Sequence, residues 1–458
     1  MRSLWTSDDI ARATGGTASH DFLVGGVAFD SREVGRGDLF IALKGETTDG
    51  HRFVDGAFAQ GATGAIVSTP VPHPHVLVTD TTAALDALGV AARTRTAARI
   101  AGVTGSVGKT STKEALAAAL ARANKGPVHR SVKSYNNHTG VPLSLARMPA
   151  DTRFGVFEMG MNHKGEIAAL TRLVRPHVAL ITAIAPAHIE NLGSLEAIAD
   201  AKSEIFEGLE PGGTAIIPFD SPYCQQLAKA AARYAGSVVT FGRGDGADVR
   251  ARDVIQLDHR TIVSAMLPGA ELNFTLTQPG DHWVSNALAV LAAVQAIGGD
   301  LAAGGLALGE MEGLKGRGAR HIVSLASGGQ ALVIDESYNA NSASMRATLS
   351  VLGCEAVPRR IAVLGEMREL GADSEALHAE LAEPVLAAGV EIALLVGQGM
   401  APLARALEGR TKVIHAPDAS AALDTVVPLL RDGDAILIKG SNAVGLGRIV
   451  DSLTGGND

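Results

Sequence analysis

Short apolar segments rich in β-forming residues alternate with alanine-rich helical segments along the chain from Ala98 onward. ARIAGV precedes ALAAALARA, FGVFEM precedes EIAALTRLV, and HVALITAI precedes SLEAIADAKSEIF. Such alternation is typical of β-α-β units, because two parallel strands need a crossover connection that a helix can supply. The pattern therefore predicts an α/β fold with a mostly parallel sheet.

Chain length and two changes in this pattern predict three domains, because 458 residues exceed what one hydrophobic core supports. Residues 1–97 are dense in turn formers and predict a small N-terminal α/β domain. Residues 98–314 predict a central domain, in which the period-two stretch 241–277 forms an antiparallel flap before a long helix. Alternation resumes after the glycine-rich, basic stretch 310–323, so residues 315–458 predict a second α/β domain.

Composition argues against several functional classes. A formal net charge of -8 offers no general attraction to nucleic acid or to an anionic membrane. No apolar run reaches the roughly 20 residues that span a bilayer, and the first residues do not resemble a signal peptide. Cys224 and Cys354 lack metal-ligand spacing and predict reduced, buried thiols. We expect a cytoplasmic, monomeric chain with neither nucleic acid nor membrane as a partner.

The segment GVTGSVGKTST, residues 102–112, predicts a phosphate-binding loop. A strand-like run precedes it and a helical run follows, so backbone N–H groups and a helix N-terminus would face an anion. Val103 stands where the strict spacing requires glycine. Lys109 would reach the outer phosphates and Thr110 would bind magnesium, although a chance glycine turn is the alternative. The predicted loop residues are Gly105, Ser106, Val107, Gly108, Lys109, Thr110 and Ser111.

Two further side chains follow predicted strands. Glu158 ends FGVFEM, and His188 follows VALITAI by a few residues. Because the carboxyl ends of parallel strands share one edge of the sheet, Thr110, Glu158 and His188 can converge on one crevice. Carboxylate and hydroxyl oxygens suit magnesium, and a histidine could complete a second site. A structural role for each residue is the alternative.

Lys202 lies within an apolar helical stripe made by Leu195, Ile198, Ile205 and Phe206. One interpretation is that its stem packs while its ammonium reaches water. In the other, desolvation and nearby cations favour the neutral amine, which is nucleophilic. Reaction of that amine with carbon dioxide would give a carbamate, an anionic oxygen ligand for a metal.

Taken together, these motifs resemble the Mur ligase family. GVTGSVGKTST, NNHTGVPLSL, FEMGMNHKGEI, AHIENLGSLEAIADAKSEIF and DESYNANSASM occur in the family's order, and the similarity runs from about Asp30 to Arg448. The resemblance implies an N-terminal domain for a uridine nucleotide, a central P-loop ATPase and a Rossmann-like C-terminal domain. It also implies a catalytic centre in which Lys109 acts beside a carbamylated Lys202 that holds magnesium with Glu158 and His188 near Thr110.

The resemblance further assigns residues to ligands, with structural alternatives for some of them. The turn after Lys44 could be a surface turn only, and Asn136 and Asn137 could cap the structure that follows them. The nucleotide set is His282 and Asn286 on the adenine side, with Arg317, Asp335, Tyr338 and Asn339. The set for the uridine-linked substrate is Ser31, Arg32, Lys44, Asp49, His51, Asn136, Asn137, Thr139 and Asn341, and Lys439 and Ser441 are candidates for the second substrate.

Within the family, SYNNHTG, MGMNHKGEI, YNAN and GEMRELG favour members that join D-alanyl-D-alanine to UDP-N-acetylmuramoyl-tripeptide. This implies ATP and Mg²⁺ as cofactors and an acyl-phosphate intermediate. One alternative is another amide ligase of the superfamily, such as a folylpolyglutamate synthetase or an earlier Mur enzyme. The other is a nucleotide-gated binding protein, in which the loop senses ATP while the remaining domains bind a partner.

Overall fold

The computed structural model describes residues 3–45, 48–187, 189–257, 260–326 and 328–455. In these ranges the three larger sheets follow one another along the sequence, and most of their strand pairs are parallel. The predicted α/β fold class with three domains is confirmed. The boundaries at 97/98 and 314/315 stay predictions, although no strand in the described ranges pairs across either of them.

The N-terminal region contains a five-stranded sheet, within the described residues, in the order β2-β7-β6-β5-β4. Its strands are β1 (Trp5–Thr6), β2 (Thr17–Ala18), β3 (Leu23–Val24), β4 (Gly26–Ala28), β5 (Asp38–Ile41), β6 (Gly64–Val67) and β7 (His75–Leu77). Its helices are α1 (Ser7–Thr14), α2 (Val54–Gln60) and α3 (Thr81–Thr94). β4 to β7 pair in parallel, β2 joins antiparallel, and β1 pairs separately with β3.

The central region is built on a nine-stranded sheet, counted over the described residues, in the order β16-β15-β14-β13-β12-β11-β8-β10-β9. Its strands are β8 (Arg99–Thr104), β9 (Val128–Arg130), β10 (Phe154–Glu158), β11 (Val178–Ile181), β12 (Thr214–Pro218), β13 (Ser237–Gly242), β14 (Val249–Leu257), β15 (Arg260–Leu267) and β16 (Ala270–Leu276). Its helices are α4 (Lys109–Arg122), α5 (Gly140–Ala146), α6 (Glu166–Val174), α7 (Ile189–Leu192), α8 (Leu195–Ser203), α9 (Cys224–Ala231), α10 (Asp281–Ile297) and α11 (Leu301–Gly309).

Strand order in the central sheet creates a crevice beside β8. The chain passes from β8 to β9 and β10 on one side and then returns as β11 on the other side. Every residue of β10 and β11 is buried, as expected where helices cover both faces of a parallel sheet. Ligands of such sheets bind at the carboxyl ends of the strands where the strand order reverses. The predicted flap is present as the antiparallel strands β14, β15 and β16, and the long helix α10 follows it.

The C-terminal region has a six-stranded sheet, in its described part, in the order β17-β18-β22-β19-β20-β21. Only the pair β17 and β18 is antiparallel. Its strands are β17 (Ala319–Ser324), β18 (Gln330–Glu336), β19 (Arg359–Gly365), β20 (Ile392–Val396), β21 (Lys412–Ala416) and β22 (Asp434–Lys439). Its helices are α12 (Ser342–Gly353), α13 (Ser374–Ala379), α14 (Ala382–Ala387), α15 (Ala401–Leu407), α16 (Ala419–Leu429) and α17 (Gly447–Leu453).

Apolar packing joins the three regions unequally. One buried cluster combines the N-terminal sheet and α3 with Leu143 and Ala146 of α5, which belongs to the central region. Arg93 of α3 strengthens this junction by donating hydrogen bonds to the carbonyls of Val174 and Arg175 at the end of α6. Among the described residues, no apolar cluster combines the central and C-terminal regions. These two regions therefore meet mainly through polar groups.

The structure corrects one expectation about the cysteines. Cys354 is exposed and Cys224 is half-buried, so the prediction that both thiols are buried is wrong, although both are free. Cys224 begins α9 and Cys354 follows the last turn of α12, positions at which neighbouring residues cover a side chain less completely. Every helix in the described ranges is too short or too polar to cross a bilayer.

Candidate functional site

A glycine-rich turn joins β8 to α4 at the crevice. Gly108 caps α4 with a left-handed backbone, φ 80°, and Gly105 also has a positive φ of 150°. A Cβ atom at Gly105 would lie 1.9 Å from Oγ1 of Thr182, so only glycine fits there. Asn286 of α10 packs against the turn, since a Cβ at Gly108 would lie 2.9 Å from its Oδ1. The first N–H groups of α4 lack intrahelical acceptors and are therefore available to an anion.

Lys109 begins α4 and folds back over this turn. Its Nζ donates a hydrogen bond to the carbonyl of Gly105 at 2.7 Å. Burial lowers the pKa of Lys109, and the nearby carboxylate of Glu158 opposes that effect. A phosphate in the turn would offer Nζ a charged acceptor in place of a neutral carbonyl.

Glu158, the last residue of β10, is a buried carboxylate with neutral partners. It is 1% exposed, its Oε2 accepts a hydrogen bond from Oγ1 of Thr110 at 2.8 Å, and its Oε1 accepts one from Nδ2 of Asn136 at 2.7 Å. In the described part of the chain, no cationic side chain forms an ion pair with it. The charge of Lys109 acts on Glu158 from outside ion-pair distance, so a cation bound directly to this buried carboxylate would be stabilised further.

The predicted metal site combines Thr110, Glu158 and Lys202 with one residue outside the described ranges. His188 lies outside the described residues, and no group of three or more histidine, cysteine, aspartate or glutamate residues among those described could hold a metal alone. Magnesium is usually bound through one or two carboxylates together with substrate phosphates and water. Glu158 and Thr110 beside a phosphate-binding turn therefore fit magnesium that arrives with a nucleotide.

Lys202 lies in the last turn of α8 and is 1% exposed, among the fully buried side chains of Ile198 and Phe206. This burial argues against an ammonium that reaches bulk water. Its Nζ has no hydrogen-bond acceptor among the residues that the structure describes. Burial, together with the Lys109 cation, holds the pKa of Lys202 well below its usual value, so the neutral amine is favoured. Lys202 is not among the residues that line the cavity between the central and C-terminal regions.

A cavity of about 550 Å³ lies between the central and C-terminal regions. Most of the predicted nucleotide residues line it, together with several predicted substrate residues. The predicted residues on its walls are Ser106, Val107, Gly108, Lys109, Ser111, Asn136, Asn137, Glu158, His282, Asn286, Arg317, Tyr338, Asn339, Asn341 and Lys439. The remaining described candidates outside its lining are Gly105, Thr110, Thr139, Lys202, Asp335, Ser441, Ser31, Arg32, Lys44, Asp49 and His51.

Residues after Leu314 contribute the second wall of this cavity. The guanidinium of Arg317 lies 4.1 Å from the ring centroid of Tyr338 and donates a hydrogen bond to Oγ of Ser134 at 3.3 Å. His282, at the start of α10, faces the same space. Burial, with a smaller effect of the Lys439 cation, lowers the pKa of His282 to about 4, so its ring is neutral near pH 7.

Two candidates in the DESYNAN motif form hydrogen bonds that stabilise the local backbone. Asp335 accepts hydrogen bonds from N of Gly316 and from N and Oγ of Ser337, which fixes the turn after β18. Asn341 caps α12, because its Oδ1 accepts from N of Ser344 while the Ser344 hydroxyl accepts from N of Asn341. Similarly, Oδ1 of Asn137 accepts from N of Gly140 at the start of α5, as the capping alternative expects.

A buried ion pair on the cavity wall was missed by sequence reasoning. Nζ of Lys439 lies 3.3 Å from Oε2 of Glu336 and donates to the carbonyl of Asn339 at 2.9 Å. Burial raises the pKa of Glu336 and lowers that of Lys439, while their mutual attraction opposes both shifts. The available signal was the lysine at the end of the apolar run AILIK, which pairs in register with Glu336 across β18 and β22.

The N-terminal candidates form local groups away from the cavity walls. Arg32 is exposed and pairs with Asp30 at 2.6 Å, next to Ser31. The backbone of Lys44 forms an isolated antiparallel β-bridge with that of Asp49. Oδ1 of Asp49 lies 2.6 Å from Nδ1 of His51. Nε2 of His51 accepts a hydrogen bond from N of Ser68, so its ring position is fixed from both sides.

These features define a three-domain α/β protein with a phosphate-binding turn that faces a cavity between its central and C-terminal domains. Models of three domains match the chain: Mur ligase family, catalytic domain (residues 23–124), Mur ligase middle domain (103–294), and Mur ligase, glutamate ligase domain (321–442). A relative from Escherichia coli (strain K12), UDP-N-acetylmuramoyl-tripeptide--D-alanyl-D-alanine ligase, is 35% identical over 439 residues, or 94% of each chain. The chain belongs to the Mur ligase family.

Solved structures agree with this assignment. A crystal structure of MurF from Acinetobacter baumannii has 32% identity and a TM-score of 0.85, covering 98% of this chain and 99% of that one. The structure of MurF ligase from Thermotoga maritima in complex with ADP has 27% identity and a TM-score of 0.77, covering 94% and 97% respectively. The similarity thus extends over all three domains.

Proposed function

We propose that this chain is an ATP-dependent ligase that joins D-alanyl-D-alanine to UDP-N-acetylmuramoyl-tripeptide. The name of the relative from Escherichia coli states those substrates, and the match covers nearly the whole of both chains. ADP in the similar structure from Thermotoga maritima supports a nucleotide in the cavity. The observation that carries the proposal is the buried carboxylate of Glu158, bonded to Thr110 of the phosphate-binding turn on the wall of a cavity between two domains.

The proposed reaction begins with transfer of the γ-phosphoryl group of ATP to the terminal carboxylate of the tripeptide. A carboxylate resists attack because of its charge and resonance, and the acyl phosphate supplies a leaving group. The amine of D-alanyl-D-alanine then attacks, a tetrahedral intermediate collapses, an amide forms and inorganic phosphate leaves. Lys109 offsets charge on the transferred group. Magnesium, which Glu158 and Thr110 would hold with His188, supplies further charge compensation when bound.

Lys202 is proposed to act as a carbamate. Its buried amine, favoured in the neutral form, would add to carbon dioxide with release of a proton, and the resulting carbamate oxygens would be ligands for magnesium. We expect Lys202→Ala to abolish turnover, and added short carboxylic acids to restore part of it by replacing the missing anion. Full activity of this variant would remove Lys202 from the mechanism.

The remaining assignments follow the family pattern. His282 and Asn286 are proposed to contact the adenine side of ATP, and Arg317 and the residues of DESYNAN are proposed to reach the nucleotide from the C-terminal side. Closure of the C-terminal domain would exclude water, which would otherwise hydrolyse the acyl phosphate. The residues proposed for the UDP-linked substrate are Ser31, Arg32, Lys44, Asp49, His51, Asn136, Asn137, Thr139 and Asn341. We propose a monomer as the working unit, which sedimentation of the pure protein tests.

A phosphate-release assay with product analysis tests the function. The pure protein is supplied with ATP, Mg²⁺ and a panel of UDP-muramyl peptides, each with D-alanyl-D-alanine or with single amino acids. We expect phosphate release and an amide product only with the tripeptide and the dipeptide together. Amide formation with a single amino acid alone would identify another amide ligase of the superfamily. Bound ATP without phosphate release in the presence of both substrates would favour a nucleotide-gated binding protein.

A further inference from the structure

Lys113 is a completely buried lysine on α4, one helical turn after Lys109 and Thr110. Its Nζ donates hydrogen bonds to the carbonyls of Ser131 and Lys133 at 2.8 Å and 2.7 Å. The carboxylate of Glu114 lies 2.9 Å from the same nitrogen and compensates its charge. The family resemblance assigns no role to Lys113, although this residue connects the phosphate-binding helix to a backbone segment that is distant in the sequence.

Burying an ammonium group is costly unless its hydrogen bonds and charge are satisfied, and an apolar side chain of similar size would often stabilise a core better. The retained lysine therefore suggests that a defined position of the bonded segment matters. This segment, residues 131–136, is named here the 131–136 loop. Lys133 within it has a left-handed backbone with φ 53°, which is unfavourable for a residue with a Cβ. The loop thus needs tertiary contacts to keep its shape.

The 131–136 loop reaches the metal-binding carboxylate from two directions. Oγ of Ser131 accepts a hydrogen bond from N of Glu158 at 3.2 Å, and Nδ2 of Asn136 donates to Oε1 of Glu158 at 2.7 Å. Both bonds depend on where the loop lies relative to α4, which carries Thr110 as the second partner of Glu158. The two hydrogen bonds of Lys113 fix the position of the loop relative to α4.

The same loop also contacts the other two regions of the molecule. The hydroxyl of Tyr135 donates a hydrogen bond to Oε1 of Glu33 at 2.8 Å. Glu33 directly follows Ser31 and Arg32 of the N-terminal region. Ser134 accepts a hydrogen bond from Arg317, which comes from the C-terminal side. One short loop therefore contacts residues of all three regions of the molecule.

We infer that Lys113 is a positioning residue for the ligase reaction: by fixing the 131–136 loop to α4, it sets Glu158 and the UDP-substrate residues of the loop relative to the phosphate-binding turn. The inference rests on the proposed function. Lys113 itself touches no substrate. Its removal should weaken use of the UDP-linked peptide while leaving the backbone contacts of the nucleotide phosphates intact.

The test compares Lys113→Met with Arg93→Met in the full chain. Arg93 is a matched control, because it is also a buried cation that donates to two backbone carbonyls, but those carbonyls lie at the end of α6. For each variant, kcat and KM for UDP-tripeptide, the Kd for ADP without metal, and the melting temperature are measured. Lys113→Met should lower kcat/KM for UDP-tripeptide by about 10- to 100-fold, as expected for a displaced site. The Kd for ADP should stay within about twofold of the wild-type value, because the phosphate-binding turn is unchanged and still offers its N–H groups.

Arg93→Met should lower the melting temperature and leave kcat/KM for UDP-tripeptide nearly unchanged at temperatures where the protein is folded. A value for Lys113→Met that matches the wild type, or an equal loss in both variants, would overturn the inference. If Lys113→Met does not fold, Ser131→Ala and Tyr135→Phe test the loop through single hydrogen bonds, and unchanged kcat/KM in both would overturn it as well. Failure of the proposed function is distinguishable, since the wild type would then form no amide.

Discussion

Three buried ionisable side chains around α4 differ in the partners that they contact. Lys113 has three acceptors, Glu158 has only neutral donors, and Lys202 has no acceptor among the described residues. A buried charge without an opposite charge destabilises a fold, whereas a ligand of opposite charge relieves that cost. At residue scale, Glu158 is therefore a position where binding of a cation should raise stability, whereas Lys202 avoids the cost of burial by favouring its neutral amine.

Glu158→Gln should abolish the stabilisation by magnesium. The amide keeps the shape of the side chain but carries no charge, so Mg²⁺ added with ADP should no longer raise the melting temperature. We also expect kcat to fall by roughly 10²- to 10³-fold, because charge on the phosphoryl group is less well compensated. Glu204→Gln is the matched control, since that buried carboxylate accepts from N of Gly165 and N of Ala168 at the start of α6. Magnesium-dependent stabilisation that persists in Glu158→Gln would contradict this assignment.

His129, in the edge strand β9, should make stability depend on pH below neutrality. Burial lowers its pKa to about 4, and Arg147 and Arg130 add to the shift against a hydrogen bond with the carbonyl of Ser144. Between about pH 4 and 6.5 the unfolded chain binds a proton that the folded chain does not, so the free energy of unfolding decreases as pH falls. The slope from one such group is at most ~1.4 kcal/mol per pH unit. In urea titrations across this window, His129→Gln should show a smaller slope than wild type, and an equal slope would refute the prediction.

At element scale, the start of α12 combines helix capping with a position on the cavity wall. Asn341 and Ser344 form a reciprocal pair of side-chain to backbone hydrogen bonds, and both residues also line the cavity. A strand end and a helix start thus meet at the cavity, which is where ligands of α/β folds commonly bind. A loss of activity at such a position has two possible origins, stability and recognition.

Two substitutions at Asn341 separate these origins. Asn341→Ala removes the cap and should lower the free energy of unfolding by ~1 kcal/mol, whereas Asn341→Asp keeps a cap of similar strength and should leave it nearly unchanged. Denaturant titration measures both values. If the aspartate variant is stable yet raises KM for UDP-tripeptide, the amide contributes to recognition. An unchanged free energy of unfolding in Asn341→Ala would contradict a stabilising role of the cap.

The sequence predicts those elements whose signals are local. Alternating segments predicted the parallel strands, and the glycine turn before α4 predicted the position of the phosphate-binding loop, because periodicity and turn chemistry act over a few residues. The pair of Glu336 with Lys439 and the bonds of Lys113 join residues distant in the chain, so they depend on strand order and loop path. Burial of Cys354 failed as a prediction because composition does not show how a helix end is covered.

At the scale of the whole molecule, the two domain interfaces are of different kinds. The N-terminal and central regions share one apolar cluster, while the central and C-terminal regions meet around a cavity with polar contacts such as Arg317 with Ser134. Separating the first pair exposes apolar surface to water, whereas separating the second costs mainly polar contacts that water can replace. We therefore expect the C-terminal domain to move when ligands bind.

Trp283 offers a direct measurement of that motion. It lines the cavity, and the chain has one other tryptophan, Trp5, which packs against Arg95 in the N-terminal region. In a Trp5→Phe variant, a non-hydrolysable ATP analogue with Mg²⁺ should shift the emission of Trp283, because the cavity loses water as it closes. The same titration of Trp283→Phe provides the control and should show no shift from Trp5. Calorimetrically detected binding without a change in Trp283 emission would contradict closure at this cavity.

The apolar cluster that the N-terminal and central regions share also determines the order of thermal unfolding. Segments that bury one continuous core melt cooperatively, whereas a domain with its own separate core can melt alone. Because α3 and α5 contribute to one apolar cluster, the first two domains should unfold together. Scanning calorimetry of the ligand-free chain should therefore resolve two heat-absorption peaks rather than three, one of them from the C-terminal domain alone.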